Sequence, residues 1–294
     1  MRSILQVSVF STVLLGASLA FAQPRDSRRE FDALLRSAVQ HYEAGQAREA
    51  IVELERAYAI RPLPRLLYNL GRAHERAGSF STAVDYYNRF LQTNPDAEAG
   101  AIAREAMATA QRRAAADRFA NAVGDELAHL AMGSARIQVA VTPRPLGPHG
   151  ADDVEIQLAA NSGAPARSVG RAASGGELSR LMLAIEVVSV SGSTPAALVP
   201  TFVPTFVPTF VFDEVDAGVG GKAGLDVGAR LAALATHAQV VVVTHLAQVA
   251  AFADRHLVVH KSDDGSVTAS AVREVEGDER LRELARMMGG GTSE

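Results

Sequence analysis

Two stretches of this chain repeat one another at a fixed spacing. Ala38, Gly45, Ala50, Leu54 and Pro62 recur 33 residues later as Gly71, Gly78, Ala83, Tyr87 and Pro95. A shared offset over so many positions of defined type marks a structural repeat, which few folds accommodate. Each copy has a small residue where two helices would cross and a glycine at the turn between them. An alanine on the second helix and a closing proline complete it. Residues 31–97 are therefore expected to form antiparallel helix pairs. Two copies are fewer than the three or so that bury a continuous core. The Ala- and Arg-rich stretch 96–118 is expected to supply the capping helix.

These copies resemble the tetratricopeptide repeat. The second, "LLYNLGRAHERAGSFSTAVDYYNRFLQTNP" at 66–95, is the better match, and the first departs in having His41 near the usual aromatic position. The resemblance implies a groove that takes a peptide or protein ligand, whose identity the residues do not give.

From about residue 106 the character changes. Apolar residues at helical spacing run through 110–132. Two alternating runs, "ARIQVAVTP" and "DDVEIQLAA", then flank a Pro/Gly-rich turn and read as a β-hairpin. Beyond Arg171 the order is helix, strand, helix, strand. "TFVFDE" and "QVVVVTH" are short β-branched runs of the kind covered on both faces in a parallel sheet, with a helix expected over 222–237 between them. The expected fold is thus α followed by α/β. Residues 31–105 form helical repeats, and 106–294 form a coiled-coil-like helix, a β-hairpin and a parallel sheet. Charged residues 260–280 read as a surface hairpin and a helix start.

The N-terminus has its own logic. Arg2 precedes an apolar stretch over about residues 4–19, and Ala20-Phe21-Ala22 precede Gln23. That is the layout of a cleaved secretory signal over residues 1–22, too short for the roughly 20 apolar residues of a membrane span. A buried N-terminal helix is the alternative. The absence of cysteine excludes disulfides and thiolate metal sites, and a net charge of −4 gives no global attraction to nucleic acid. Arg112, Arg113 and Arg118 could approach DNA phosphates, but a solvated helix face accounts for them more simply.

Three sequence elements could carry chemistry. Ser174 and Glu177 form S-x-x-E ahead of an apolar helical run of Leu178, Leu181, Met182 and Ile185. This is a capping box or, with Gly175 and Gly176 baring the backbone at a helix N-terminus, an anion site. Asp213 and Glu214 end an apolar run. A hard carboxylate there suits Mg²⁺, and its neighbour suits polarising a water for attack on a phosphate; a solvated acidic turn is the alternative. Asp216 with glycines 218, 220 and 221 makes a tight loop suited to a subunit contact. His245 closes "VVVVTH", at the end of the sheet where ligands bind in such folds.

Taken together, SGGELSR, VFDEVDAGVGG and VVTHLAQVAAFADRH resemble the carboxyl-terminal half of the RecN family of bacterial DNA-repair ATPases, SMC-like members of the ABC ATPases. The likeness covers about residues 106–288. It implies a partial ABC/SMC-type head that uses ATP and Mg²⁺. Ser174, Gly175, Gly176 and Glu177 would be the signature motif touching ATP held by an opposing head. Asp213 would bind Mg²⁺, Glu214 would be the catalytic base, Asp216 would lie in the D-loop and His245 would be the switch histidine. Residues 108–132 would be the returning strand of the coiled-coil arm. A complete head also needs a phosphate loop, G-x-x-x-x-G-K-[ST]. "GVGGKAG" at 218–224 does not supply it, because Ala223 stands in place of Ser/Thr and Asp216 in place of the first Gly. The expected partners are a phosphate-loop-bearing half or second head, DNA through the family, and a peptide for the repeats. The chain alone is expected to bind ATP weakly and not to turn it over.

An exported repeat adaptor with a non-catalytic tail is the second reading, and a fusion or misassembly of two unrelated genes the third. The signal argues for a periplasmic or secreted protein, the ATPase part for a cytoplasmic one. Finally, the run "VPTFVPTFVPTFVF" at 199–212 repeats itself three times. Only its last copy is needed for a strand, since Pro204 and Pro208 cannot donate within a ladder, and the first two read as an eight-residue insertion.

Overall fold

The computed structural model describes residues 25–147, 150–172, 174–190, 207–263 and 268–289. The expected signal segment and the first two copies of the Val-Pro-Thr-Phe run lie outside the described residues. The chain divides into two compact units, one ending at Ala116 and the other beginning at Asp117. The division falls inside a helix, whereas the change in composition had placed it at residues 105–106.

The first unit is helical. Helices α1 (Arg25–Glu43), α2 (Ala47–Ile60), α3 (Pro64–Arg76) and α4 (Phe80–Leu91) follow one another across short turns, and α5 (Ala97–His129) begins here. Gly45 and Gly78, one in each copy, take φ of +79° and +78° at equivalent turns, a left-handed conformation that favours glycine. Phe31, Leu34, Ala38, Leu54, Ala57, Leu66 and Leu70 form one buried cluster. Leu67, Tyr68, Ala83, Tyr87 and Phe90 form a second with Ala103 and Ala110 of α5. The alanines of α5 leave room for these larger rings, so 96–118 closes the repeats as expected.

The 33-residue offset also explains a substitution between the copies. Ala38 and Leu54 share one core, and their counterparts are Gly71 and Tyr87. A β-carbon on Gly71 would meet the Tyr87 ring at 2.5 Å, closer than atoms approach. The second copy trades a methyl on one helix for a larger ring on the other.

Among its described residues the second unit holds three small sheets. Strands β1 (Arg136–Gly147) and β2 (Gly150–Ala159) form the expected antiparallel hairpin, edged by the two-residue β3 (Arg167–Ser168). After the short α6 (Val169–Ala172) come α7 (Gly175–Val190), β4 (Thr209–Phe212), α8 (Lys222–Ala235), β5 (Gln239–Val242) and α9 (Ala247–Ala250). The hairpin β6 (His256–Asp263) and β7 (Thr268–Val275), then α10 (Gly277–Met287), are the last described elements. Strands β4 and β5 pair in parallel, Thr209 opposite Gln239 through Phe212 opposite Val242, as the helix–strand alternation predicts. One core joins Val123 and Leu127 of α5, Ile137, Leu158, Leu181, Ala184, Phe212, Leu231 and Val249. Fold class follows expectation: helical repeats, then mixed α and β with a parallel pair.

Two expectations need correcting. Helix α7 buries Arg180, Leu181, Leu183, Ala184 and Val188, while Leu178 and Met182 of the expected apolar face stand half-exposed. The helix is turned because Arg180 points inward to backbone acceptors. Among the described residues the parallel pair is also covered on one face only. Phe210, Phe212, Val240 and Val242 pack on the core. Val211, Val241 and Val243, on alternate positions, are 68%, 43% and 59% exposed.

Candidate functional site

Parallel pairing carries the chemistry to one place. Because β4 and β5 run the same way and in register, the residues that follow them leave at the same end. Asp213 and Glu214 come after Phe212, and His245 comes shortly after Val242. The pairing persists to this rim, where the Val243 N–H donates to the Phe212 carbonyl at 2.9 Å.

Glu214 adopts φ of +56°, a left-handed conformation that costs a non-glycine residue roughly 1–3 kcal/mol. The turn it opens offsets part of that cost: the Ala217 N–H donates to the Glu214 carbonyl and the Val219 N–H to the Asp216 carbonyl, each at 3.0 Å. The twist leaves Asp213 and Glu214 exposed and drives Val215 and Asp216 inward.

Ser174, Gly175, Gly176 and Glu177 open α7 against this turn. The Ser174 N–H and hydroxyl donate to Glu177 Oε2 at 2.8 and 2.9 Å, and the Glu177 N–H donates back to Ser174 Oγ at 3.4 Å. The capping box is therefore formed. The Ser174 backbone N–H, and then its hydroxyl, hold the Glu177 carboxyl below its usual range. The glycines have a second, non-local reason. A β-carbon on Gly175 would lie 2.8 Å from Glu214 Oε2, and one on Gly176 would lie 2.8 Å from the Ala217 β-carbon and 3.0 Å from the Glu214 carbonyl oxygen. Ser179 Oγ donates to the Asp213 carbonyl at 2.6 Å, fixing the acid pair from the same helix.

Besides Ser179, two residues not singled out in the sequence complete the arrangement. Arg180 is buried and donates to the Ala217 carbonyl at 2.7 Å and the Val215 carbonyl at 3.5 Å. Burial lowers its pKa, against the attraction of Glu177 and Asp216. Thr244 donates its hydroxyl to Asp216 Oδ2. The only sequence signal for Arg180 is that it is the one cation in α7; Thr244 leaves none.

Asp216 is 2% exposed and turned inward. The His245 N–H donates to its Oδ2 at 3.0 Å, and His245 Nδ1 lies 3.2 Å from the same oxygen. The structure thus brings together all eight residues named from sequence: four at the start of α7, three in the turn after β4, and His245 after β5. Among the described residues no group of three or more acidic or histidine side chains could hold a metal ion by itself.

The fold and rim define a helical-repeat unit followed by an α/β unit with acids and a histidine at one end of a parallel strand pair. Residues 64–110 match the tetratricopeptide repeat model. About two thirds of the chain resembles the carboxyl-terminal half of the DNA repair protein RecN. RecN of Streptomyces coelicolor is 54% identical over 207 residues, covering 66% of this chain and 34% of that protein. RecN of Treponema pallidum is 40% identical over 189 residues, covering 62% and 31%. The chain thus spans about a third of the length of these relatives. Among solved structures, the Smc head domain with a coiled coil and joint from Pyrococcus yayanosii aligns over 87% of this chain and 43% of that one. It shows 18% identity and a TM-score of 0.41.

Proposed function

We propose that the second unit is the carboxyl-terminal part of a RecN-type ATPase head acting in DNA repair, and that it turns over ATP only when another polypeptide supplies the phosphate loop. The observation that carries this reading is the shared exit of Asp213, Glu214 and His245 from one end of a parallel pair, the end at which such sheets bind ligands. The residues fit magnesium nucleotide. Mg²⁺ in phosphate sites takes one or two carboxylates and completes its shell with phosphate oxygens and water, so Asp213 suffices without a cage of acids. Bound there, the ion would neutralise phosphate charge.

The remaining roles belong to this chain. Glu214, exposed beside Asp213, orients a water and accepts its proton. His245 presents its ring at the same rim to a terminal phosphate. The start of α7 offers Ser174 and the bare backbone of Gly175 and Gly176 to a nucleotide held by an opposing head. The exposed face of Val211, Val241 and Val243 is where a phosphate-loop half would cover the sheet, since parallel sheets are normally covered on both sides.

The test is reconstitution. The chain alone should show no turnover above background. Mixed with a separately produced phosphate-loop half of a RecN relative, it should hydrolyse ATP, and Glu214→Gln should reduce that rate at least ~100-fold, the usual worth of a general base. Turnover by the chain alone that disappears in Glu214→Gln would overturn the proposal.

A further inference from the structure

We infer that Asp216 is a positioning residue that fixes the His245 imidazole in the tautomer with its proton on Nδ1, leaving the Nε2 lone pair to face the site. This deepens the reading of the rim given above and rests on it for its catalytic meaning, though not for its geometry.

The carboxylate and the ring differ sharply in their surroundings. The Asp216 side chain is 2% exposed and the His245 side chain 71% exposed, with Nδ1 3.2 Å from Oδ2. The acid is anchored independently of the ring. The Thr244 hydroxyl and the His245 backbone N–H both donate to Oδ2, and the Leu246 N–H donates to Thr244 Oγ1 at 3.0 Å. From the other side Arg180 holds the carbonyls of Val215 and Ala217, which flank Asp216 in sequence. The carboxylate therefore cannot swing out to follow a mobile ring; the ring must settle against it.

An imidazole has two inequivalent nitrogens, and the partner of one decides the state of the other. Oδ2 is an acceptor, so Nδ1 must carry a proton to face it. In the neutral ring Nε2 is then left unprotonated and directed at solvent. A buried carboxylate setting tautomer and orientation is the role the acid plays in hydrolytic triads, where an amide in its place supports the wrong tautomer. Asparagine at 216 could turn its carbonyl oxygen to the same donors, but without the negative charge its hold on the Nδ1 proton is weaker.

The experiment is ¹⁵N-detected imidazole NMR on the full chain, well above the normal imidazole titration range, with His245 assigned from His245→Gln. The wild type should show Nδ1–H in excess by about tenfold, the scale of a charge-assisted hydrogen bond. Asp216→Asn should lower that excess to about threefold or less, while Thr244→Val, which leaves the carboxylate in place, should keep most of it. A wild-type ring protonated mainly on Nε2 overturns the inference whether or not the variant folds, as does an unchanged ratio in a folded Asp216→Asn protein. No nucleotide is needed, so failure of the reconstituted hydrolysis leaves this result intact and separately readable. Where reconstitution succeeds, Asp216→Asn should lower kcat while leaving the KM for ATP within about twofold.

Discussion

Gly175 has no space for a side chain because Glu214 occupies it: a β-carbon there would sit 2.8 Å from the Glu214 carboxylate. The acid that follows β4 and the glycine that opens α7 are thus fitted to one another. Anything that enlarges the glycines moves the acid.

Gly176→Ala is the sharper test, because its added methyl would strike the Ala217 β-carbon and the Glu214 carbonyl rather than a movable carboxylate. We expect destabilisation of the second unit by about 1–3 kcal/mol, the usual cost of overpacking. Hydrogen exchange of Ala217 and Val219, whose N–H groups close the turn, should speed up in step. Unaltered exchange at both amides would mean that the turn does not depend on this contact.

In the first unit, Gly71→Ala should cost about 1–3 kcal/mol because the methyl collides with the Tyr87 ring. Adding Tyr87→Leu should recover part of the loss, since Ala with Leu is the pair that the first copy uses at Ala38 and Leu54. The coupling should exceed about 0.5 kcal/mol in a double-mutant cycle. All five tyrosines, Tyr42, Tyr58, Tyr68, Tyr86 and Tyr87, precede residue 116, and the chain has no tryptophan. Tyrosine fluorescence during denaturant unfolding therefore reports this unit alone.

His74 should make the first unit weaker in acid. Its ring stacks on Tyr86 with centroids 5.2 Å apart, and neither buried ring nitrogen has a hydrogen-bond partner. Desolvation lowers its pKa below 6.5, partly opposed by Glu55. The unfolded chain then binds the proton more readily than the folded one. Stability from this group is complete above pH 6.5 and falls as pH drops through that value toward the lowered one. His74→Phe should flatten the tyrosine-detected stability between about pH 5 and 7. An equal slope in the variant would assign the acid sensitivity elsewhere.

Much of this architecture was legible in the sequence where its cause is local. The capping box of Ser174 and Glu177 depends on residues three apart, and the parallel pair on two short β-branched runs. The repeat was readable because its positions recur. What escaped detection depends on distant partners. Arg180 finds its acceptors at Val215 and Ala217, so nothing near it in the chain explains a buried cation. The inward turn of Asp216 follows from donors at Thr244 and His245. The division between the two units falls within α5, which crosses it without a break in helical spacing. No composition shift marks a division within a continuous helix.

The register of β4 has a consequence for how the acids tolerate change upstream. The Thr-Phe-Val-Pro run before the strand has a period of four, an even number, and side chains alternate faces along a strand every second residue. Gaining or losing one whole copy therefore leaves every inward phenylalanine inward. Only the last copy ends in Phe212 rather than proline, so it alone can both fill the core and donate to β5 at that step. The final copy alone anchors the strand, so Asp213 and Glu214 surface at the same spot whatever the number of copies.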